Sequence, residues 1–348
     1  MNDKEYSNFC RICGAESLEK FNINHFTFPG KSKNWESFYC FNCGGVSDFK
    51  KKQNIEDIYS DGSYRNIKID EVKTPIDFFS KISFLRWRHI NNILEKYFKN
   101  NSEKSLRYLD YGGYSGFLQF ALKQKFNFEC VVADYDTQGL KIAKAIGLDT
   151  IDLKKGNISE EEKYDLISLV HVLEHIKKPL DEIKNLLRNL NNGGVVYAEV
   201  PNLYSFPMSD EAHLINFSKY SLYFLFKKTG LKIIDVGYCS SPKETIDHNY
   251  YYNSKKENLF IVAKKIDQQI NDFEVKKDNF VSNNISEFKK RLFLSYSGIM
   301  IKNIPWNLLK PSLKKIKTAL LFFLYGSIDL ISIKVFKFSL ISRILKRK

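Results

Sequence analysis

The chain has 348 residues, with 54 Lys and Arg against 40 Asp and Glu and a formal net charge of +14. Hydrophobic residues make up 43% and aromatic residues 15%, enough for a packed core, which excludes a mostly disordered polymer. Six cysteines are too few for a disulfide scaffold at this length, and the polar opening stretch has no signal-peptide pattern, so a reduced, cytoplasmic setting is expected.

Two knuckles come first. Cys10-x-x-Cys13 and Cys40-x-x-Cys43 are each followed by a glycine, Gly14 and Gly44, which lets the backbone turn sharply under a metal. Four thiolates at this spacing can build a tetrahedral zinc site, closed and therefore structural; the alternative is a redox pair or a site that has lost its metal. A module of this size, taken as 1–66, holds little core of its own. A helical linker is assigned to 67–104, with a helix over 75–99 whose apolar faces include Phe78, Ile82, Leu85, Ile90, Ile93, Leu94 and Phe98.

From 105 to 266 short apolar runs alternate with amphipathic stretches, the rhythm of βαβ units and a parallel sheet. Strands are expected at 106–111, 129–134, 165–170, 195–200, 231–237 and 259–263. Helices are expected at 116–125, 137–145, 179–190 and 219–229. Gly193-Gly194 reads as a turn into a strand. Cys130 and Cys239 read as ordinary thiols.

The first strand of this segment runs into Asp110-Tyr111-Gly112-Gly113-Tyr114-Ser115-Gly116 and then a helix. Glycines there let backbone approach a ligand at a helix N-terminus, and an acid closing the next strand, Asp134, is placed to bind ribose hydroxyls. A turn that merely packs helix on sheet is the plainer reading.

These residues resemble the class I S-adenosylmethionine-dependent methyltransferases, with 164–176 similar to that family's fourth strand and following motif, and 190–202 similar to its fifth. The resemblance implies an α/β, Rossmann-like sheet and S-adenosylmethionine as cofactor. It places Asp110 and Gly112 near the methionine moiety, with Gly113 beside them in the cofactor-binding turn and Gly116 starting the helix beneath, Asp134 on the ribose, Tyr135 against the adenine and His171 at the cofactor edge. Two positions depart from the pattern. Tyr114 replaces the middle glycine of the turn, and the usual acid after the third strand has Asp152 or Lys154 in its neighbourhood.

His171-x-x-Glu174-His175 also has the spacing of an inverted zinc-peptidase motif. It leaves a buried strand and no third ligand stands out downstream, so the expectation is that Glu174 and His175 shape the floor of the site or bond local backbone.

The knuckles ahead of such a domain resemble sugar C-methyltransferases and relatives associated with surface polysaccharides. His213 and Phe217-Ser218 match part of their Tyr-His-Glu-His-x-x-x-Phe-Ser motif; Asp210, Glu211 and Ala212 do not. The resemblance implies a small-molecule or glycan acceptor, methylated at oxygen more readily than at carbon. His213 is the expected general base, with His175 and Tyr204 lining the acceptor site. An RNA methyltransferase and a non-catalytic scaffold are the alternatives. Nucleic acid is an unlikely partner, because the usual nucleobase turn is replaced by His171-Val172-Leu173-Glu174.

The segment 267–348 is taken as a helical, basic extension. Residues 301–348 carry 11 Lys and Arg and one acid, so +10 of the net +14 lies there. Leu309, Leu313, Ile316, Leu320 and Phe323 form one helical stripe, and Ile331, Val335, Phe338, Ile341 and Leu345 another. An amphipathic helix on an anionic membrane surface is one expectation; packing on the protein itself or on a second subunit is the other.

Overall fold

The computed structural model describes residues 9–22, 36–48, 81–98, 105–205, 213–239, 258–266 and 281–289, with 275, 277 and 291. The basic stretch 301–348 lies outside the described residues, as do 75–80 of the expected linker helix.

The elements in chain order are strands β1 (Leu18–Asn22), β2 (Glu36–Cys40) and β3 (Val46–Asp48), helix α1 (Lys81–Phe98), β4 (Leu106–Tyr111), α2 (Phe117–Phe126), β5 (Phe128–Asp134), α3 (Thr137–Ala145) and β6 (Asp149–Asp152). Then come β7 (Tyr164–Val170), a 3-10 turn at Leu173–His175, α4 (Pro179–Leu186), β8 (Leu190–Pro201), β9 (Ile215–Asn216), α5 (Lys219–Lys227), β10 (Lys232–Cys239) and β11 (Asn258–Lys264).

Seven strands form one sheet in the order β10-β11-β8-β7-β4-β5-β6. The pairs from β6 to β8 are parallel, whereas β11 runs antiparallel to both β8 and β10. Side chains alternate through it. On β5, Cys130 and Val132 enter the cluster with Ile90, Leu94, Leu122 and Leu140 of α1 to α3. Val131 and Ala133 enter the opposite one, with Ile183 of α4 and Leu222, Leu225 and Phe226 of α5. A sheet covered on both faces explains why its strands read as near-continuous apolar runs. Each fully buried side chain of this size contributes about 1.5–3 kcal/mol.

The cysteine segment is built into this body. Its strands β1, β2 and β3 form a second sheet whose last member is β9, contributed by the stretch that follows β8. Cys10, Ile12, Cys13, Cys40 and Cys43 share the cluster of α5, and the Lys228 ammonium donates to the Cys13 carbonyl at 2.5 Å. Residues 281–289 return to the same place. The Ser282 amide donates to the Tyr39 hydroxyl at 2.8 Å, and Phe288 stacks on Tyr39 with centroids 4.1 Å apart.

Two local expectations fail. The helix expected over 179–190 stops at Leu186, because the Asn185 and Leu186 carbonyls accept the Arg188 and Asn189 amides in a closing turn. Gly193-Gly194 lies inside β8 rather than before it. The Gly193 amide donates to the Lys265 carbonyl and the Lys265 amide to the Gly194 carbonyl, both at 2.9 Å, extending the ladder through the pair.

Candidate functional site

The carboxyl ends of β4, β5, β7 and β8 meet at one edge of the sheet, where ligands bind in open α/β folds. β4 ends in the glycine turn. Gly112 has φ +78, and a Cβ there would come within 2.5 Å of Val172 beyond β7, so this turn and the β7 loop touch. Gly113 and Gly116 are packing positions as well: a Cβ would meet the Asp110 carboxylate at 2.4 Å or Leu148 at 2.4 Å. Asp110 is buried beneath the turn, its carboxylate accepting from the Ser168 hydroxyl and the Gln119 amide, which joins β4 to β7 and α2.

Asp134 closes β5. One oxygen accepts the Tyr114 amide at 2.7 Å and the other the Asp136 amide at 2.8 Å. Tyr114 has φ 50. A Cβ on Gly139 would lie 2.5 Å from its ring, so the side chain is folded onto the start of α3. Tyr135, the next residue after Asp134, is half-buried. Asp152 ends β6, where its carboxylate accepts the Lys154 amide at 3.1 Å.

His171 begins the loop after β7 with φ 56, in the left-handed region. Such a conformation costs on the order of 1–3 kcal/mol and persists only where the surroundings enforce it. Here its amide donates to the Glu199 carbonyl at 2.8 Å. Its ring lies between two buried carboxylates, Nδ1 3.3 Å from Glu174 Oε1 and Nε2 3.3 Å from Glu199 Oε1. Glu199 also accepts from Asn258 at 2.8 Å and from the Tyr197 hydroxyl at 2.9 Å.

His175 and His213 come together, their ring centroids 4.9 Å apart. One ligand atom from each of Glu174, His175 and His213 falls within a 4.8 Å span. The Leu214 amide donates to the Glu174 carbonyl at 2.8 Å, pinning the two segments together. Burial opposes the charged form of Glu174, but His171, His175 and His213 outweigh it and hold its carboxyl below the ordinary range. Tyr204 stands elsewhere, in the apolar cluster of Phe21, Tyr39 and Phe288, where burial drives its phenol well up. Phe217 is fully buried and Ser218 caps α5 in a capping box with Ser221, so the Phe-Ser pair has a structural role of its own.

The four knuckle cysteines are all buried and reduced. Cys10 and Cys43 sulfurs lie 3.6 Å apart, Cys13 and Cys40 3.5 Å. Tetrahedral zinc with bonds of about 2.3 Å puts its sulfurs about 3.8 Å apart, so the donor set fits. Each knuckle closes alike, with the Gly14 amide on the Cys10 carbonyl and the Gly44 amide on the Cys40 carbonyl, both at 2.8 Å. The Cys40 thiol is drawn down to about 7, chiefly by the hydrogen bond from Cys10, while burial pushes Cys43 up.

Residues 83–236 match the family model described as a methyltransferase domain. No curated protein matches the sequence. Solved structures similar to this chain include an S-adenosylmethionine-dependent methyltransferase from Archaeoglobus fulgidus, at 16% identity over 55% of this chain and 99% of that one, with a TM-score of 0.41. Another is the N-methyltransferase NodS from Bradyrhizobium japonicum with S-adenosyl-homocysteine, at 15% identity over 54% and 90%, with a TM-score of 0.41. A third is the plantazolicin methyltransferase BpumL, at 17% identity over 61% and 94%, with a TM-score of 0.42. The fold is an α/β, Rossmann-like one, a seven-stranded sheet parallel from β6 to β8, with four clustered cysteines at its N-terminal side. Over residues 83–236 the chain is thus similar to a methyltransferase domain.

Sequence reasoning missed Glu199 and Asn258. The signal for Glu199 was a lone acid inside the apolar run 195–200. It also missed that His213 completes the group begun by Glu174 and His175. Among the described residues no helix is long and apolar enough to cross a membrane.

Proposed function

We propose that the protein methylates a hydroxyl of a sugar, nucleotide-sugar or glycan-linked intermediate, using S-adenosylmethionine. The observation that carries this reading is the meeting of His213, His175 and Glu174 at the sheet edge where the Gly112 turn and Asp134 lie. The residues present suit the cofactor: Gly112, with φ +78, turns the chain at the end of β4, and Asp134 closes β5 with its carboxylate held by the Tyr114 and Asp136 amides. When bound, S-adenosylmethionine supplies an electrophilic methyl group for in-line displacement from sulfur by the acceptor oxygen. His213 takes the hydroxyl proton, and the buried Glu174 stabilises the imidazolium that results. His171, held by two carboxylates, fixes the wall of the site. Gly113 and Gly116 set the turn, and Tyr135 flanks the adenine. Zinc on Cys10, Cys13, Cys40 and Cys43 would be structural, since four thiolates close its coordination.

Calorimetry tests the first step: S-adenosyl-homocysteine should bind the full chain, and absence of binding would overturn the reading in favour of a scaffold. His213→Ala should keep that binding while lowering turnover of a sugar acceptor by about 10²–10⁴, the usual weight of a general base. An unchanged rate would remove the base role. For the basic stretch 301–348 we propose peripheral attachment to an anionic cytoplasmic leaflet. Chain ending at 300 should co-sediment less with anionic vesicles and bind cofactor equally; equal sedimentation would rule attachment out.

A further inference from the structure

The group formed by Glu174, His175 and His213 has more to it than a proton acceptor. All three are buried, Glu174 to 1% exposure. An ionised carboxylate buried in this way costs several kcal/mol unless positive charge stands beside it. The groups that face it are imidazoles: His171 Nδ1 lies 3.3 Å and His175 Nε2 3.9 Å from Glu174 Oε1.

The donor atoms span no more than 4.8 Å. Two ligands of one ion with bonds of about 2.1 Å stand at most about 4.2 Å apart, so side-chain movements of under about 1 Å bring all three onto a common centre. One carboxylate and two imidazoles suit a first-row transition ion, whereas magnesium and calcium prefer oxygen alone. The support expected around such ligands is present. His171 Nδ1 lies 3.3 Å from Glu174 Oε1, His171 is braced in turn by Glu199, and the Leu214 amide ties the His213 segment to the Glu174 carbonyl. His213 stands 38 positions beyond His175, which is why the motif His171-x-x-Glu174-His175 lacked a third ligand when read along the chain.

We infer that Glu174, His175 and His213 bind one divalent transition-metal ion, separate from the cysteine cluster. Three protein ligands leave coordination positions open, and an acceptor hydroxyl on one of them loses its proton to water more readily. His213 is then a ligand and the ion replaces it as the means of deprotonation. That role rests on the methyl-transfer reading; the binding of the ion does not.

Manganese(II) is the probe, because thiolate sites select softer metals. Electron paramagnetic resonance of the full, zinc-loaded chain should show about one Mn2+ bound per molecule. Glu174→Gln and His213→Ala should each weaken that binding at least tenfold, with S-adenosyl-homocysteine affinity, measured in parallel, as the check on folding. Absence of Mn2+, Co2+ and additional Zn2+ binding at millimolar concentration would overturn the inference, as would wild-type Mn2+ affinity in both variants. Loss of cofactor binding in the wild type would overturn methyl transfer alone and leave the metal result standing. Turnover that persists at full rate after Mn2+ is removed by a chelator would return deprotonation to the His213 imidazole.

Discussion

Among the described residues two clusters have donor atoms that converge within 4.8 Å, and they are assembled in opposite ways. The cysteine cluster is made of two local repeats. Each knuckle places two sulfurs three residues apart, with a left-handed glycine and an amide-to-carbonyl bond beneath them. The Glu174 cluster has no local unit. Glu174 and His175 lie on a single 3-10 turn, and His213 arrives after β8 and a stretch outside the described residues. The first arrangement is a fold element in itself; the second exists only once the sheet has brought its loops to one edge. Damage to the first should therefore spread, and damage to the second should stay where it is made.

With zinc on the four cysteines, as proposed, the largest effect should come from Cys40→Ser or from removal of the ion. Structural zinc contributes about 10–16 kcal/mol in small peptides. Thermal unfolding should shift down by the equivalent of more than about 3 kcal/mol. Amide exchange at Asp48 should rise, because the Asp48 amide bonds the Leu214 carbonyl at 2.9 Å. A chain that loses zinc and keeps its melting temperature would break the comparison.

A smaller and confined effect is expected at Asp134→Ala. Two amide bonds to a carboxylate are lost, each worth about 1.5–3 kcal/mol. S-adenosyl-homocysteine affinity should fall about 10–100-fold by calorimetry while the Cys-bound zinc content stays at one. Zinc loss in this variant would show that the two ends of the domain are not independent.

The least effect is expected at His89, which, like Asp134, belongs to neither cluster. His89 lies against Phe260, and burial holds its imidazole below its ordinary 6.5, outweighing the pull of Glu199 and Asp235. The unfolded chain then binds the extra proton. The stability associated with neutral His89 is complete above pH 6.5 and is lost as pH falls through the lower native value. Chemical denaturation across that window should be flatter in His89→Gln, which separates this background from any pH response of the Glu174 cluster.

The same contrast explains what could be read from the chain. β4 and α3 fall where periodicity placed them, since their apolar spacing is local. β6 was missed: Asp149-Thr150-Ile151-Asp152 is a short edge strand with one partner and little apolar signal. β9 was missed because two residues carry no period, and its partner lies far back in the cysteine segment. Tyr114 replaces a glycine of the turn, and its ring lies on Gly139, a contact that depends on the α3 crossover rather than on the turn. Glu174 and His175 were visible as a motif, but their meeting with His213 depends on how the loop after β8 returns.

The pairing of β3 with β9 bears on which fragments of this protein can be made. A fragment starting after the cysteine segment would present β9 without its neighbour and uncover the apolar side of α5 that Ile12 covers. Unpaired edges and exposed apolar faces of that kind favour aggregation. Grafting the loop around His213 onto a related scaffold meets the same obstacle, since half of its backbone pairing is left behind. The cysteine segment and the loop that carries His213 and β9 are thus one structural unit, to be exchanged together or not at all.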